Sequence, residues 1–380
     1  MPDTFYFDHN ATTPLSSEVL RVVRAALEEV YGNASSIHRP GQAARQRLEA
    51  ARRQVASLLG ASAREIVLLS GGTEANNLAL FGIAGNGGHV VTTAIEHPAV
   101  LNPCAQLEKQ GVEVTYVAPG PDGIVAPDTV RHAMRRNTVL VSVMHANNET
   151  GVIQPIEDIA RMAHEGGALF HVDGVQAAGK LPVDVSALGV DLYSVSAHKI
   201  HAPKGTGALY VRQGIHPRPL LFGGHHERGR RAGTENVPGA IGFGAAALEA
   251  AARDGKEIAA LRDRLERGIL DRVPDVTVNG SREHRLPNTA NLRFAGVEGE
   301  AMVIALDLRG FAVSSGSACS SGAVEPSHVL LAMGLTPEQA RSSVRFSLGR
   351  GNTAGQVDAL IEATAEAARH LRRVSTYSHA

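Results

Sequence analysis

The chain reads as an α/β protein, with a wound, mainly parallel sheet of about seven strands followed by a smaller α+β domain. Three observations predict this. Seven short apolar runs recur between residues 66 and 211, most are separated by segments long enough to hold a helix, and beyond Phe243 the regular alternation stops. Parallel strands need such crossover segments, so the spacing argues for strand direction as well as strand count. At 380 residues the chain is longer than one ordinary domain, which makes two the natural division.

After a short N-terminal piece, Pro14 to Val30 and Gly41 to Leu59 carry apolar residues at helical spacing, and Gly60 is placed to end the second helix. The apolar runs follow: Ile66 to Leu69, His89 to Thr93, Val112 to Val117, Val139 to Met144, Ala168 to Val172, Leu192 to Val195 and Ala208 to Val211. Cys104 falls in the helical pattern H-P-A-V-L-N-P-C-A-Q-L-E-K, where packing is its role. An alanine-rich helical stretch from Ala245 to Val273 leads into N-T-A-N-L-R-F and the helical E-G-E-A-M-V-I-A-L-D-L. The strand Phe311 to Val313, a cysteine-bearing loop, the strand S-V-R-F-S-L and a helix after Thr353 complete the chain. The division expected is a large domain of residues 14–252 and a small one of residues 1–13 with 253–380.

Composition narrows the function. A hydrophobic fraction of 43% with 20% charged residues is that of a globular protein. Lysine plus arginine number 37 against 38 acidic residues, so nothing electrostatic favours nucleic acid or an anionic membrane, and a small-molecule substrate is expected. No secretory signal is read at the N-terminus, and no apolar run approaches the roughly 20 residues of a membrane helix. Two cysteines, Cys104 and Cys319, cannot staple a chain of this size and point to a reducing cytoplasm.

In an open parallel sheet, ligands bind beyond the carboxyl ends of the strands. The first run ends in S-G-G-T-E-A-N-N, where Gly72 and Thr73 open a helix and offer N–H groups and a hydroxyl to a phosphate. The next run ends in A-I-E-H-P and His97, and another in H-A-N-N-E-T-G with Asn147, Asn148 and Glu149. The later two close on D-G-V-Q, with Asp173 and Gln176, and on S-A-H-K, with Ser196, His198 and Lys199. Any one of these reads equally as a loop cap. Together, a phosphate cradle, a lysine, an aspartate and a histidine on one sheet edge suit pyridoxal phosphate chemistry: lysine forms a Schiff base and aspartate keeps the ring nitrogen protonated.

The motifs D-H-N-A-T-T-P, G-N-A-S-S-I-H, S-G-G-T-E-A-N-N, E-H-P-A-V, N-N-E-T-G, H-V-D-G-V-Q, S-A-H-K-I-H-A-P-K-G, R-R-A-G-T-E-N, S-S-G-S-A-C-S-S-G and V-R-F-S-L-G-R run in order along nearly the whole chain. In these the chain resembles the NifS/IscS-type cysteine desulfurases of the class-V aminotransferase family, pyridoxal phosphate enzymes of fold type I, the aspartate aminotransferase-like fold. The resemblance implies that Lys199 carries the cofactor and moves the Cα proton, that Asp173 pairs with the ring nitrogen and Gln176 with the ring hydroxyl, and that His97 stacks on the ring and serves in proton transfer. It implies phosphate ligands at Gly72, Thr73, Ser196 and His198, with Thr234 reaching over from the second subunit of a homodimer. Asn148 and Arg345 would hold the carboxylate of L-cysteine. Arg345 also fits by pattern, since Val344, Phe346 and Leu348 alternate with it and leave it facing away from the core.

Cys319, in a run of small residues that read alone could be an incidental surface thiol, is by this resemblance the nucleophile. It takes sulfur as a persulfide and passes it to an acceptor or iron-sulfur scaffold protein, in a loop that has to move. No resident metal is expected at His225-His226, because adjacent histidines diverge in an extended chain; whether Cys319 transiently ligates a nascent cluster stays open. The other readings are a selenocysteine lyase or aminotransferase on the same fold, and a noncatalytic sulfur carrier. Two departures from the family pattern are His9 and Ala202, where glycine is usual beside the lysine.

Overall fold

The computed structural model describes residues 4–251, 255–315 and 325–377. Cys319 and the 252/253 boundary lie outside the described residues. The chain opens with β1 (Phe5–Tyr6), α1 (Ser17–Glu29), α2 (Arg39–Leu58) and β2 (Ile66–Leu69). The wound part continues through α3 (Gly72–Ala84), β3 (His89–Thr93), α4 (Pro98–Lys109), β4 (Glu113–Val117), α5 (Pro127–Ala133), β5 (Thr138–Met144), α6 (Ile156–Glu165) and β6 (Leu169–Asp173). After it come β7 (Leu192–Ser196), β8 (Gly207–Val211) and α7 (Val237–Ala251).

These strands build a seven-stranded sheet in the order β2-β8-β7-β6-β5-β3-β4. Four of its six pairings, β3 with β4, β3 with β5, β5 with β6 and β6 with β7, are parallel. Only β8 runs against its neighbours, β7 and β2. Reversing twice returns β2 to the direction of β7, so the carboxyl ends of β2, β3, β5, β6 and β7 share one edge. Side chains alternate across the sheet. Val90, Leu140 and Leu192 pack with Leu78 and Cys104 on one face, while Val91, Val141 and Tyr193 pack with Val55, Ile159 and Phe243 on the other.

The rest of the chain contains α8 (Lys256–Arg272), β9 (Val276–Val278), β10 (Thr289–Phe294), α9 (Gly299–Asp307), β11 (Phe311–Ala312), α10 (His328–Ala332), α11 (Pro337–Arg341), β12 (Ser343–Ser347) and α12 (Ala354–Tyr377). Strands β12, β10 and β9 form an antiparallel sheet, and β1 pairs with β11 in parallel. Phe7, Leu265, Leu292, Phe294, Phe346 and Leu360 centre a second core here, although Val329, Leu330 and Met333 pack onto the first. The helical stretch expected from Ala245 to Val273 is instead two helices, α7 starting earlier at Val237 and α8 starting after Gly255, whose φ is 71°. A left-handed residue stops one helix from running into the next, and periodicity alone does not register it.

Candidate active site

Gly72, Thr73, His97, Asn148, Asp173, Gln176, Ser196, His198, Lys199 and Arg345 all line one cavity of about 590 Å³ at the carboxyl edge of the large sheet, with Asp8, Asn10, Asn76 and Ser315 beside them. Thr234 does not line it; it is exposed and borders a smaller cavity with Ser70, Gly207 and Arg231.

Asp173 ends β6 and is buried. Its Oδ2 accepts from Asn76 Nδ2 at 2.7 Å and its Oδ1 from the Val175 N–H at 3.0 Å, two neutral donors that stabilise a carboxylate without cancelling its charge. Behind it, the His145 N–H donates to the Asp173 carbonyl, and the His145 ring bonds the Tyr193 hydroxyl at 2.8 Å. Burial lowers His145 to about 4, so this support is uncharged.

Helix α3 begins directly after β2, and a Cβ at Gly72 would come within 2.7 Å of Val175 Cγ2. Glycine is therefore needed for the helix start to approach the β6 loop. His97 caps α4, with Pro98 at the first helical position. Its Nδ1 accepts from the Ala99 N–H at 3.0 Å, so the proton of the neutral ring sits on Nε2. Burial holds His97 below the ordinary imidazole range, opposed by Asp173 and reinforced by Lys199 and His328.

Lys199 closes the turn after β7 and donates from Nζ to the Asn10 and Ala11 carbonyls at 2.5 and 2.8 Å. Burial, then the charge of Arg345, push its ammonium down to about 8 against the pull of Asp173 and Asp8. Arg345, on β12, is buried and reaches Asp8 Oδ1 at 2.6 Å and the Asn148 carbonyl at 2.9 Å. Its Nε is buried without a hydrogen-bond partner, as is Asn76 Oδ1. His198 bonds Thr12 Oγ1 at 3.1 Å and is lowered to about 4, mainly by burial.

Two orphaned polar atoms among the lining residues, the clash that bars a side chain at Gly72, an anionic carboxylate held by neutral donors and a depressed lysine fit a phosphorylated pyridine aldehyde. Gly72, Thr73, Ser196 and His198 could hold its phosphate, Asp173 its ring nitrogen and Lys199 its aldehyde carbon.

Asn10, which no motif singled out for a role, joins the motif residues Asn147, Glu149 and Glu96 in supporting the site. Asn10 is the hub: its carbonyl receives Lys199 and Gln176, and its side chain touches Lys180, Thr289, Asn288 and the Asn148 carbonyl. Asn147 forms a turn, its Oδ1 accepting from the Glu149 and Thr150 N–H groups. Glu149 is buried and accepts from the Ser327 hydroxyl at 2.5 Å. Glu96, pushed up to about 8 by burial, is protonated at neutral pH. Cys104 is fully buried and its thiol is pushed up to about 12, which makes it inert.

The two departures are accommodated. His9 is buried, with its ring edge-on to Tyr6 at 5.0 Å. At the lysine turn the left-handed residue is His201, φ 72°, so the buried methyl of Ala202 introduces no strain. In H-H-E-R-G-R-R, two arginines are tied down: Arg230 bonds the Arg64 carbonyl at 3.2 Å and Arg231 pairs with Glu74 at 3.0 Å.

The family model for class-V aminotransferases matches residues 5–360. A cysteine desulfurase of Trichormus azollae is 48% identical over 98% of this chain and 95% of its own length. The cysteine desulfurase IscS of Dictyoglomus turgidum is 46% identical over 98% and 96%. A solved NifS-like protein superposes with a TM-score of 0.89 at 37% identity, covering 96% of this chain and 98% of that one. The chain belongs to the class-V aminotransferase family and, within it, to the pyridoxal-phosphate-dependent cysteine desulfurases.

Proposed function

We propose that the chain converts L-cysteine to L-alanine, holds the sulfur as a persulfide on Cys319 and passes it to an acceptor protein for iron-sulfur cluster assembly. The observation that carries this reading is the convergence of Lys199, Asp173, His97 and Arg345 on one cavity. The described residues on either side of the cysteine segment support it. Ser314 exchanges backbone hydrogen bonds with Arg345, Ser315 lines the cavity, and the His328 ring bonds the carbonyl of Glu96, the neighbour of His97.

Bound pyridoxal phosphate supplies an electron sink for charge developing on the substrate carbon. Arg345 and Asn148 orient the substrate carboxylate, and Arg345 must share its guanidinium between that group and Asp8. Lys199, half deprotonated near pH 8, takes up and returns the Cα proton. The Cys319 thiolate attacks the substrate sulfur: an S–S bond forms as the C–S bond breaks, the bonding pair stays with carbon, and a proton delivered there completes alanine. By the resemblance His97 serves in proton transfer. Its capped Nδ1 leaves an Nε2–H, so it favours the thiolate by donating a hydrogen bond to it.

Three further assignments belong to this reading. Residues 14–252 form the large cofactor-binding domain, and residues 1–13 with 253–380 the small one; the packing of Phe7 into the second core supports the N-terminal part of that division. The active form is a homodimer in which Thr234 serves the other subunit's phosphate, supported by Tyr31, Ile37 and Phe222 being 82%, 90% and 87% exposed. Cysteine scarcity supports a cytoplasmic setting.

Purified protein should show a visible cofactor band that Lys199→Ala abolishes, and should gain the mass of one sulfur on Cys319 when L-cysteine is added. Cys319→Ser should lose sulfide release and keep the band. Sustained turnover in Cys319→Ser would refute the persulfide route.

A further inference from the structure

Lys180 is an amine beside the cavity that none of the chemistry above uses. It follows Gln176 by four residues in the turns after β6, and its Nζ donates to Gln176 Oε1 at 2.7 Å and to Asn10 Oδ1 at 2.9 Å. Both partners are buried neutral amides. Gln176 in turn donates from Nε2 to the Asn10 carbonyl at 2.9 Å, the same oxygen that receives Lys199.

This network decides which end of the Gln176 amide lies where. An amine donates, so the Gln176 atom against Lys180 is oxygen; a carbonyl accepts, so the atom against Asn10 is nitrogen. A neutral amine has two N–H groups and an ammonium three, so both bonds persist in either state. Burial, followed by the charges of Lys199 and Arg345, holds the Lys180 ammonium well below the ordinary lysine range, which leaves the donation intact. Gln176 and Asn10 line the large cavity, whereas Lys180 lines a separate one of about 70 Å³, with Lys199 bordering both. The nitrogen end is thus on the cofactor side.

We propose that Lys180 is a positioning residue: by holding Gln176 Oε1 it presents Nε2 to the cavity, so that Gln176 meets the cofactor's ring oxygen as a donor. The proposal rests on the pyridoxal phosphate reading and deepens it. A donor on the ring oxygen draws charge away from it and weakens its hold on the proton shared with the Lys199 linkage. Losing the donor lets the linkage keep its proton to higher pH.

The test is a visible absorbance titration of the holoenzyme. Lys180→Met, of similar length and unable to donate, should raise the pH midpoint of the band by roughly one unit. Lys180→Arg, which keeps donors, should stay near the wild-type midpoint. Gln176→Ala should show the raised midpoint alone, and adding Lys180→Met to it should change nothing more. The Gln176→Ala titration stands even if Lys180→Met fails to fold: an unmoved midpoint there overturns the proposal. So does a Lys180→Met shift that persists in the Gln176→Ala background, which would mean that Lys180 acts as a charge. A wild-type protein with no band dependent on Lys199 would overturn the cofactor reading itself, a result separable from these.

Discussion

Lys199 shows how one residue's chemistry is set by its surroundings. Its folded value of about 8 lies below the ordinary 10.5, so between those limits the folded chain holds an amine where the unfolded chain holds an ammonium. The burial responsible is a penalty on the charged form, and Arg345 adds to it. Arg345→Gln removes that cation and leaves Asp8 without its partner, and both changes favour the ammonium. The rate at which cofactor-free protein acquires the visible band should therefore rise through a midpoint near pH 8 in the wild type and at higher pH in Arg345→Gln, measured by mixing with pyridoxal phosphate across pH 6 to 10. A midpoint that moves down or stays fixed would show that Arg345 does not set the lysine. At this scale the sequence was most legible. Lysine, aspartate, histidine and glycine-threonine fall where strands end, because strand ends are visible in an apolar pattern. Asn10 and Lys180 were not, since an asparagine in a short N-terminal piece and a lysine after a glycine look like solvated loop residues.

Among the elements, the segment between β8 and α7 depends on a buried ion pair. Arg52 of α2 donates to Glu227 at 2.5 and 2.7 Å, with side-chain exposures of 4% and 2%, and Glu227 also accepts the Leu68 N–H of β2. Glu227 and Arg228 both have positive φ, 48° and 57°, a conformation that non-glycine residues keep only when their surroundings fix it. Removing one partner leaves a buried charge. Arg52→Met is therefore expected to lose about 3 kcal/mol in urea unfolding, while Arg21→Ala, which breaks an exposed, solvent-screened pair on α1, should barely move the midpoint. Equal losses would mean that Glu227 is held by backbone packing alone. The strand runs matched the structure to within a residue or so at most ends. The two-helix break near Gly255 and this loop did not show, because each depends on a single backbone torsion or on a partner more than 150 residues away.

For the whole molecule, the placement of Thr234 outside the cavity of its own chain carries the prediction. If it completes the other subunit's phosphate site, Thr234→Ala homodimers should bind pyridoxal phosphate more weakly. Mixed dimers with Lys199→Ala chains should regain tight binding in half of their sites, measured by titrating the visible band. Mixed dimers no tighter than the Thr234→Ala homodimer would place Thr234 away from any phosphate. The sequence alone settled the alternation of strands and helices, the shared edge of functional residues and the family, since these are written in local periodicity and in residues that follow strands. Tertiary structure decided the rest: the proton position on His97, the depressed lysine, the hub at Asn10 and the orientation of Gln176. Those depend on distances between residues far apart in the chain and on how much water folding excludes, neither of which a linear pattern encodes.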